Sequence, residues 1–243
     1  MKFPTEEIEL PSKGLLYPAT NPLSSGKVEM KYMTTYHEDI LTNQNFINQG
    51  TVFDKLLQSL IVSKIEYNDL LLGDKNAILI GARVLGYGKD YTFEYKGQEI
   101  TVDLAKLEAK ELDLNLITKG KNEFSFKLPK SGADITFKLL THGDEQKIEA
   151  ELKGLKKINP NNSPELSTKL KYMLLSVNGE TDQKIIREFV DNAFLAIDAR
   201  AFRDHLRKIS PDIDLSFNYE SEGLQEKVEL PLGASFFWPE YKK

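Results

Sequence analysis

The spacing of apolar positions changes along the chain, and each change marks a boundary. Over residues 1–26 no period holds. Pro4, Pro11, Pro18 and Pro22, followed by Ser24-Ser25-Gly26, interrupt Phe3, Ile8, Leu10, Leu15, Leu16 and Tyr17. Proline removes backbone donors and biases its predecessor toward extended backbone. The segment therefore reads as an extended arm, too apolar for a solvated tail, lying on the protein's own core or on a neighbour. Residues 36–48 read as a short helix. From Thr51, with Asp54 at capping-box spacing, Val52, Phe53, Leu56, Leu57, Leu60 and Ile61 share one helical face. A helix from Asn76 to Leu85 is apolar nearly all round, the signature of a central buried element. Arg83 sits within it and must find a partner; Asp69 and Asp74 are the nearest acidic candidates.

After Gly86-Tyr87-Gly88 the period drops to two. Tyr91/Phe93/Tyr95 and Ile100/Val102/Leu104, joined at Lys96-Gly97, predict a hairpin. Leu112/Leu114/Leu116, Phe124/Phe126/Leu128 and Ile135/Phe137/Leu139 predict three more strands, with Pro129-Lys130-Ser131-Gly132 turning the chain. Helical spacing returns at Thr141, where Asp144 again completes a capping box, followed by the stripe Ile148, Leu152, Leu155 and Ile158. Ser163-Pro164 opens a helix with core face Leu166, Leu170, Met173, Leu174 and Val177, closed by Asn178-Gly179. Helices over 182–194 and 199–209 follow, then alternating Ile213/Leu215/Phe217/Tyr219, a Ser221-Glu222-Gly223 turn, Val228/Leu230 and Phe236-Phe237-Trp238-Pro239. The expectation is an α+β fold: a middle group of antiparallel strands and hairpins flanked by helices. It divides into an arm, 1–26, and one body, 27–243, with a possible subdivision at 140/141.

Composition removes several chemistries. The 243 residues include no cysteine, which excludes disulfides, thiol nucleophiles and thiolate metal sites. With 32 basic and 37 acidic side chains the net charge is −5, unfavourable for nucleic acid or an anionic membrane. No apolar run is long enough to span a bilayer, and the first residues lack a signal-peptide core. His37 reads as a surface or cap residue, and His142 and His205 as solvated. The glycines of 81–88 lack phosphate-loop spacing and read as a helix end leading into a hairpin. Asp212 and Asp214 fall short of a calcium loop and read as flanking a strand. No catalytic residue, metal ligand or cofactor is expected. The lysines of 147–171 read as the solvated face of two helices.

Four segments, in order, carry a resemblance. They are Leu10-Pro11-Ser12-Lys13-Gly14 with Tyr17-Pro18; Asp69-Leu-Leu-Leu-Gly73-Asp74 with Arg83 and Gly86-Tyr87-Gly88-Lys89-Asp90-Tyr91; Phe126-Lys127-Leu128-Pro129 running to Phe137 and Thr141-His142-Gly143-Asp144-Glu145; and Val228-Glu229-Leu230-Pro231-Leu232-Gly233 before Phe236-Phe237-Trp238-Pro239. Over about residues 8–239 this resembles the baseplate-hub proteins of contractile-tailed, T-even-type bacteriophages. The resemblance implies a non-enzymatic hub subunit or hub-assembly chaperone. Its partners would be other baseplate and hub proteins, without nucleic acid, membrane or small-molecule substrate. It would act in the host cytoplasm during assembly, with the virion tail baseplate as an alternative end point.

On that reading Leu10, Pro11, Leu15 and Tyr17 of the arm, and the aromatic anchor Phe236, Phe237 and Trp238, would meet partner subunits, unless they close the protein's own core. Some relatives carry cysteine pairs in the hairpins matching 91–104 and 217–228, in the manner of a zinc knuckle. Here Tyr95, Phe217 and Tyr219 would have to hold those hairpins together by packing. A rival reading makes Asp69, Asp74 and Arg83 the site of a hydrolase; the same residues otherwise form a buried ion-pair network.

Overall fold

The computed structural model describes residues 4–160, 164–221, 224–230, 232 and 236–237. Trp238, the Ser163 cap and the Glu222-Gly223 turn lie outside them. The fold is α+β. Strand β1 (Thr5–Glu9) pairs antiparallel with β2 (Lys27–Lys31), and helices α1 (Thr35–Thr42), α2 (Gln44–Gln49) and α3 (Val52–Leu60) lead to α4 (Leu72–Tyr87). Hairpin β3 (Asp90–Tyr95)–β4 (Gln98–Asp103) follows, then the three-stranded sheet of β5 (Phe124–Lys127), β6 (Asp134–Phe137) and β7 (Leu174–Val177). Helices α5 (His142–Ile158) and α6 (Glu165–Met173) lie between β6 and β7. Helices α7 (Gln183–Asn192) and α8 (Ala196–Ile209) and hairpin β8 (Ser216–Ser221)–β9 (Leu224–Glu229) complete it. No described helix is long and apolar enough to cross a membrane.

The arm is the largest correction. Residues 5–9 form a strand, and Leu10, Leu16, Tyr17 and Leu23 belong to the main core at 0–5% exposure. An extended segment rich in apolar side chains removes them from water most simply on its own body, and the β2 ladder satisfies the inward-facing half of its strand's backbone. The boundary between an arm and a body therefore disappears.

Three other expectations change. Helix α4 begins at Leu72, four residues before Asn76, and so includes Asp74 in its first turn. Residues 112–116 are no strand: the Asp113 carboxylate accepts from the Asn115 amide and starts a 3-10 turn, leaving Leu114 63% exposed. Leu174–Val177 leaves the helix and pairs with β6. Asn178 and Gly179, both at positive φ, make a hairpin turn there and not a helix end. Thr51 occupies the N-cap of α3 but makes no side-chain cap bond, whereas the Thr141–Asp144 capping box is complete.

The two hairpins do lie side by side. Phe93 meets Phe217 with ring centroids 5.5 Å apart, and Tyr95 meets Tyr219 at 5.1 Å. The Tyr219 hydroxyl donates to Gln98 Oε1 at 2.9 Å, and Lys96 pairs with Glu226. Aromatic edge-to-face packing does the work of a fastening between them.

Helix α4 threads the middle of these parts. A Cβ on Gly73 would drive into the Pro211 carbonyl, so the segment after α8 sits directly on its first turn. Gly73→Ala should therefore lower stability by about 1–3 kcal/mol, read as a reduced urea midpoint. An unchanged midpoint would contradict this packing.

Candidate functional site

The polar side chains of α4 and its neighbours make two buried networks, and both were candidates for chemistry. The first surrounds Asp74, which is fully buried. Its Oδ1 accepts the Ser12 amide at 2.9 Å, and its Oδ2 accepts the Ser12 hydroxyl at 2.7 Å and the Tyr17 hydroxyl at 2.6 Å. The Tyr17 oxygen in turn accepts the Leu71 amide at 3.0 Å, an amide at the helix N-terminus with no intrahelical carbonyl to reach. Burial pushes the Asp74 carboxyl above the ordinary range, against the bonds from Tyr17 and Ser12 that favour its ionised form. The Tyr17 phenol is driven upward by burial and by the adjacent Asp74.

Arg83 does not join this network. Nine residues separate it from Asp74, about two and a half turns, so the two side chains leave opposite sides of α4. Its Nε donates to the Phe236 carbonyl at 2.9 Å and one terminal nitrogen to the Gly88 carbonyl at 3.0 Å. The guanidinium also lies 5.2 Å and 5.9 Å from the ring centres of Tyr87 and Tyr91. Asp69 is at the surface, accepting from Asn21 Nδ2 at 2.8 Å. The expected Asp69–Asp74–Arg83 ion-pair network is thus absent, and the same separation removes the hydrolase site built on these residues.

The second network was not legible. A cleft of about 190 Å³ between α3, α4 and α5 holds Asp54, Lys75, His142 and Glu145. Lys75 Nζ lies 3.0 Å from Asp54 and 2.8 Å from Glu145. His142, read as solvated, is 1% exposed. Its Nδ1 sits 3.2 Å from Glu145 Oε2 and 3.1 Å from Lys75 Nζ, and Tyr67 packs against its ring at 4.7 Å. The Tyr67 hydroxyl donates to Asp54 Oδ1 at 3.1 Å. The Thr141 capping box places His142 and Glu145 one turn apart on α5, the signal that could have paired them. Nothing local announces Asp54 or Lys75.

The electrostatics lock these groups. The His142 hydrogen bond, then Lys75, bring the Glu145 carboxyl down to about 2 despite partial burial. Burial works against the Lys75 ammonium, but the bond to Glu145 and the charge of Asp54 outweigh it and raise its pKa. Burial and the Asp54 charge push the Tyr67 phenol up. These groups tie α3, α4 and α5 together. Among the described residues no group of three or more acidic or histidine side chains is arranged to hold a metal ion.

The remaining sequence candidates are mostly interior. Leu10, Pro11 and Tyr17 are buried, Leu15 is half-buried, and Phe236 and Phe237 are each 1% exposed. Phe236 packs on Tyr91, and Phe237 on Phe53. Leu10, Pro11, Tyr17, Phe236 and Phe237 are covered by their own chain, which favours closure of the core, the alternative left open beside partner contact, while Leu15 is only half covered. His37 caps α1 as expected, through Nδ1 to the Thr34 amide, yet is buried. His205 stacks on Phe126 at 4.6 Å, half-buried and not solvated. Comparisons with protein-family models, curated proteins and solved structures returned no match.

The charge ties carry a pH signature. Glu145 has a folded pKa below its ordinary value of 4.5, so its contribution is present above pH 4.5 and is lost as pH falls toward about 2. Solvent reaches the pair, which holds that contribution to on the order of 1 kcal/mol. Glu145→Gln should flatten the acid limb of the stability–pH curve by this amount. A variant curve parallel to wild type between those pH values would refute the tie.

Proposed function

We propose that this chain is a non-enzymatic baseplate-hub protein of a contractile-tailed bacteriophage, a hub subunit or hub-assembly chaperone working through contacts with other hub proteins. One observation carries the reading: the four segments that resemble that family, scattered from Leu10 to Phe237, meet around α4. Ser12 and Tyr17 of the first segment bind Asp74 of the second. The His142 amide of the third donates to the Leu70 carbonyl of the second, and the Leu72 amide donates back to Leu140. Arg83 of the second binds the Phe236 carbonyl of the fourth. That common anchorage on α4 is what the reading expects of segments belonging to one pattern that runs the length of the chain.

The polar residues of the motifs serve that scaffold, so partner contact falls to other surfaces. Apolar side chains left in water occur on both halves, among them Tyr36 and Leu114 at 63%, Ile158 at 83% and Ile197 at 60% exposed. Among the described residues, Ile158 and Ile197 are the two most exposed aliphatic side chains of the helical half, and on this reading a partner would cover them.

Co-expression with the hub proteins of the encoding phage, followed by affinity purification, tests the reading. Wild type should retain at least one hub component. The double variant Ile158→Asp/Ile197→Asp, folded by circular dichroism, should retain roughly tenfold less. Wild type that retains no hub component contradicts the proposal.

A further inference from the structure

The β1–β2 hairpin has one closed edge and one open edge. Along β2, the Val62 amide donates to the Glu29 carbonyl at 2.8 Å, and Met30 bridges Ile61. Within the hairpin, the Leu10 amide reaches the Gly26 carbonyl and the Pro4 carbonyl accepts from Tyr32. Antiparallel pairing alternates, so Pro4, Glu6, Ile8 and Leu10 turn their backbone groups inward. Thr5, Glu7 and Glu9 turn theirs outward. Among the described residues no backbone group meets those of Thr5, Glu7 or Glu9.

Beside this edge runs an apolar groove of about 200 Å³, walled by Ile80 and Val84 of α4, Leu104 and Leu107 of the following turn, and Ile213. Ile8 and Glu9 form its rim. Ile8 points down onto α4, where a Cβ on Gly81 would come within 2.8 Å of its Cδ1. Side chains of β1 alternate, so Glu7 and Glu9 lie on the solvent face, where Lys27 of β2 pairs with Glu7 at 3.1 Å, while Ile8 lies on the groove face.

We infer that the open edge of β1 accepts an extended segment of a partner protein, added as a third antiparallel or parallel strand, with apolar side chains seated in the groove and basic side chains beside Glu7 and Glu9. Main-chain bonds to the outward groups supply affinity, and the groove and the carboxylates supply selection. The charge excludes a second copy of this edge as the occupant. Pairing Thr5–Glu9 with itself sets glutamates against glutamates, and like charges directly opposite destabilise a ladder. The inference stands on this geometry alone, independent of the hub reading.

The probe is a short, blocked, fluorescein-labelled peptide of alternating lysine and valine, followed by anisotropy with the full chain. Glu7→Pro removes one outward amide, together with the Glu7–Lys27 pair, and leaves the hairpin's own backbone bonds intact, since proline is tolerated on an edge. Ala105→Trp fills the groove from an exposed position on its wall. Saturable binding to wild type, weakened roughly tenfold or more by each variant and by N-methylation of alternate peptide amides, supports the site. The circular dichroism of wild type must be retained by at least one variant, and that variant then decides. Absence of binding to wild type, equal binding of the N-methylated peptide, or unaltered binding by a folded variant overturns it. A wild-type dimer in analytical ultracentrifugation that Glu7→Pro converts to monomer also overturns it, because a second copy would then hold the edge.

Discussion

A carboxylate with no access to water, on the first turn of the central helix, is the constraint around which this molecule is arranged. Asp74 must be hydrogen-bonded where it lies, because an unpaired buried charge costs several kcal/mol. The donors come from Ser12 and Tyr17, some sixty residues earlier. That need draws residues 10–17 onto the helix start and sets the hairpin of β1 and β2 over α4. The Tyr17 hydroxyl serves twice, donating to Asp74 and accepting from the Leu71 amide. Loss of the loop would leave both a buried carboxylate and a helix-terminal amide without partners.

The other end of α4 is organised on the same principle with the opposite charge. Arg83, 2% exposed, is met by carbonyls and aromatic faces instead of a carboxylate. Those carbonyls belong to Gly88, at the helix exit, and Phe236, near the chain's end. The aromatic cluster of Tyr91, Phe236 and Phe237 then continues into the stacked hairpins. Along the flank, Lys75 ties α4 to α3 and α5. One helix thus meets segments from the beginning, the middle and the far part of the chain.

Local rules were read correctly where local chemistry decides. The β3–β4 hairpin and the Thr141 capping box appear where the residues placed them, whereas the neighbourhood of the two hairpins was expected from the resemblance and not from any local rule. What could not be read was decided by contacts distant in sequence. Asp74 and Arg83 look like natural partners in one dimension, but the pitch of the helix sends them apart. Asn178-Gly179 suits a helix end as well as a hairpin, and only the free edge of β6 favours the strand. His142 has polar neighbours in sequence, yet Asp54, Tyr67 and Lys75 close over it from other elements. The prolines of the first segment pointed to an extended arm, and none falls within β1, so that extended stretch pairs with β2. The apolar residues between them had no water-exposed alternative once Asp74 needed its donors.

Native-state hydrogen exchange on the Ser12 and Leu71 amides tests the dependence on Asp74 most directly. Both amides bond within the same buried network. They should exchange only through global unfolding, at the same free energy as the most protected amides of α4. Exchange of Ser12 through a smaller opening, while α4 stays protected, would show that the helix holds without its loop and contradict the account.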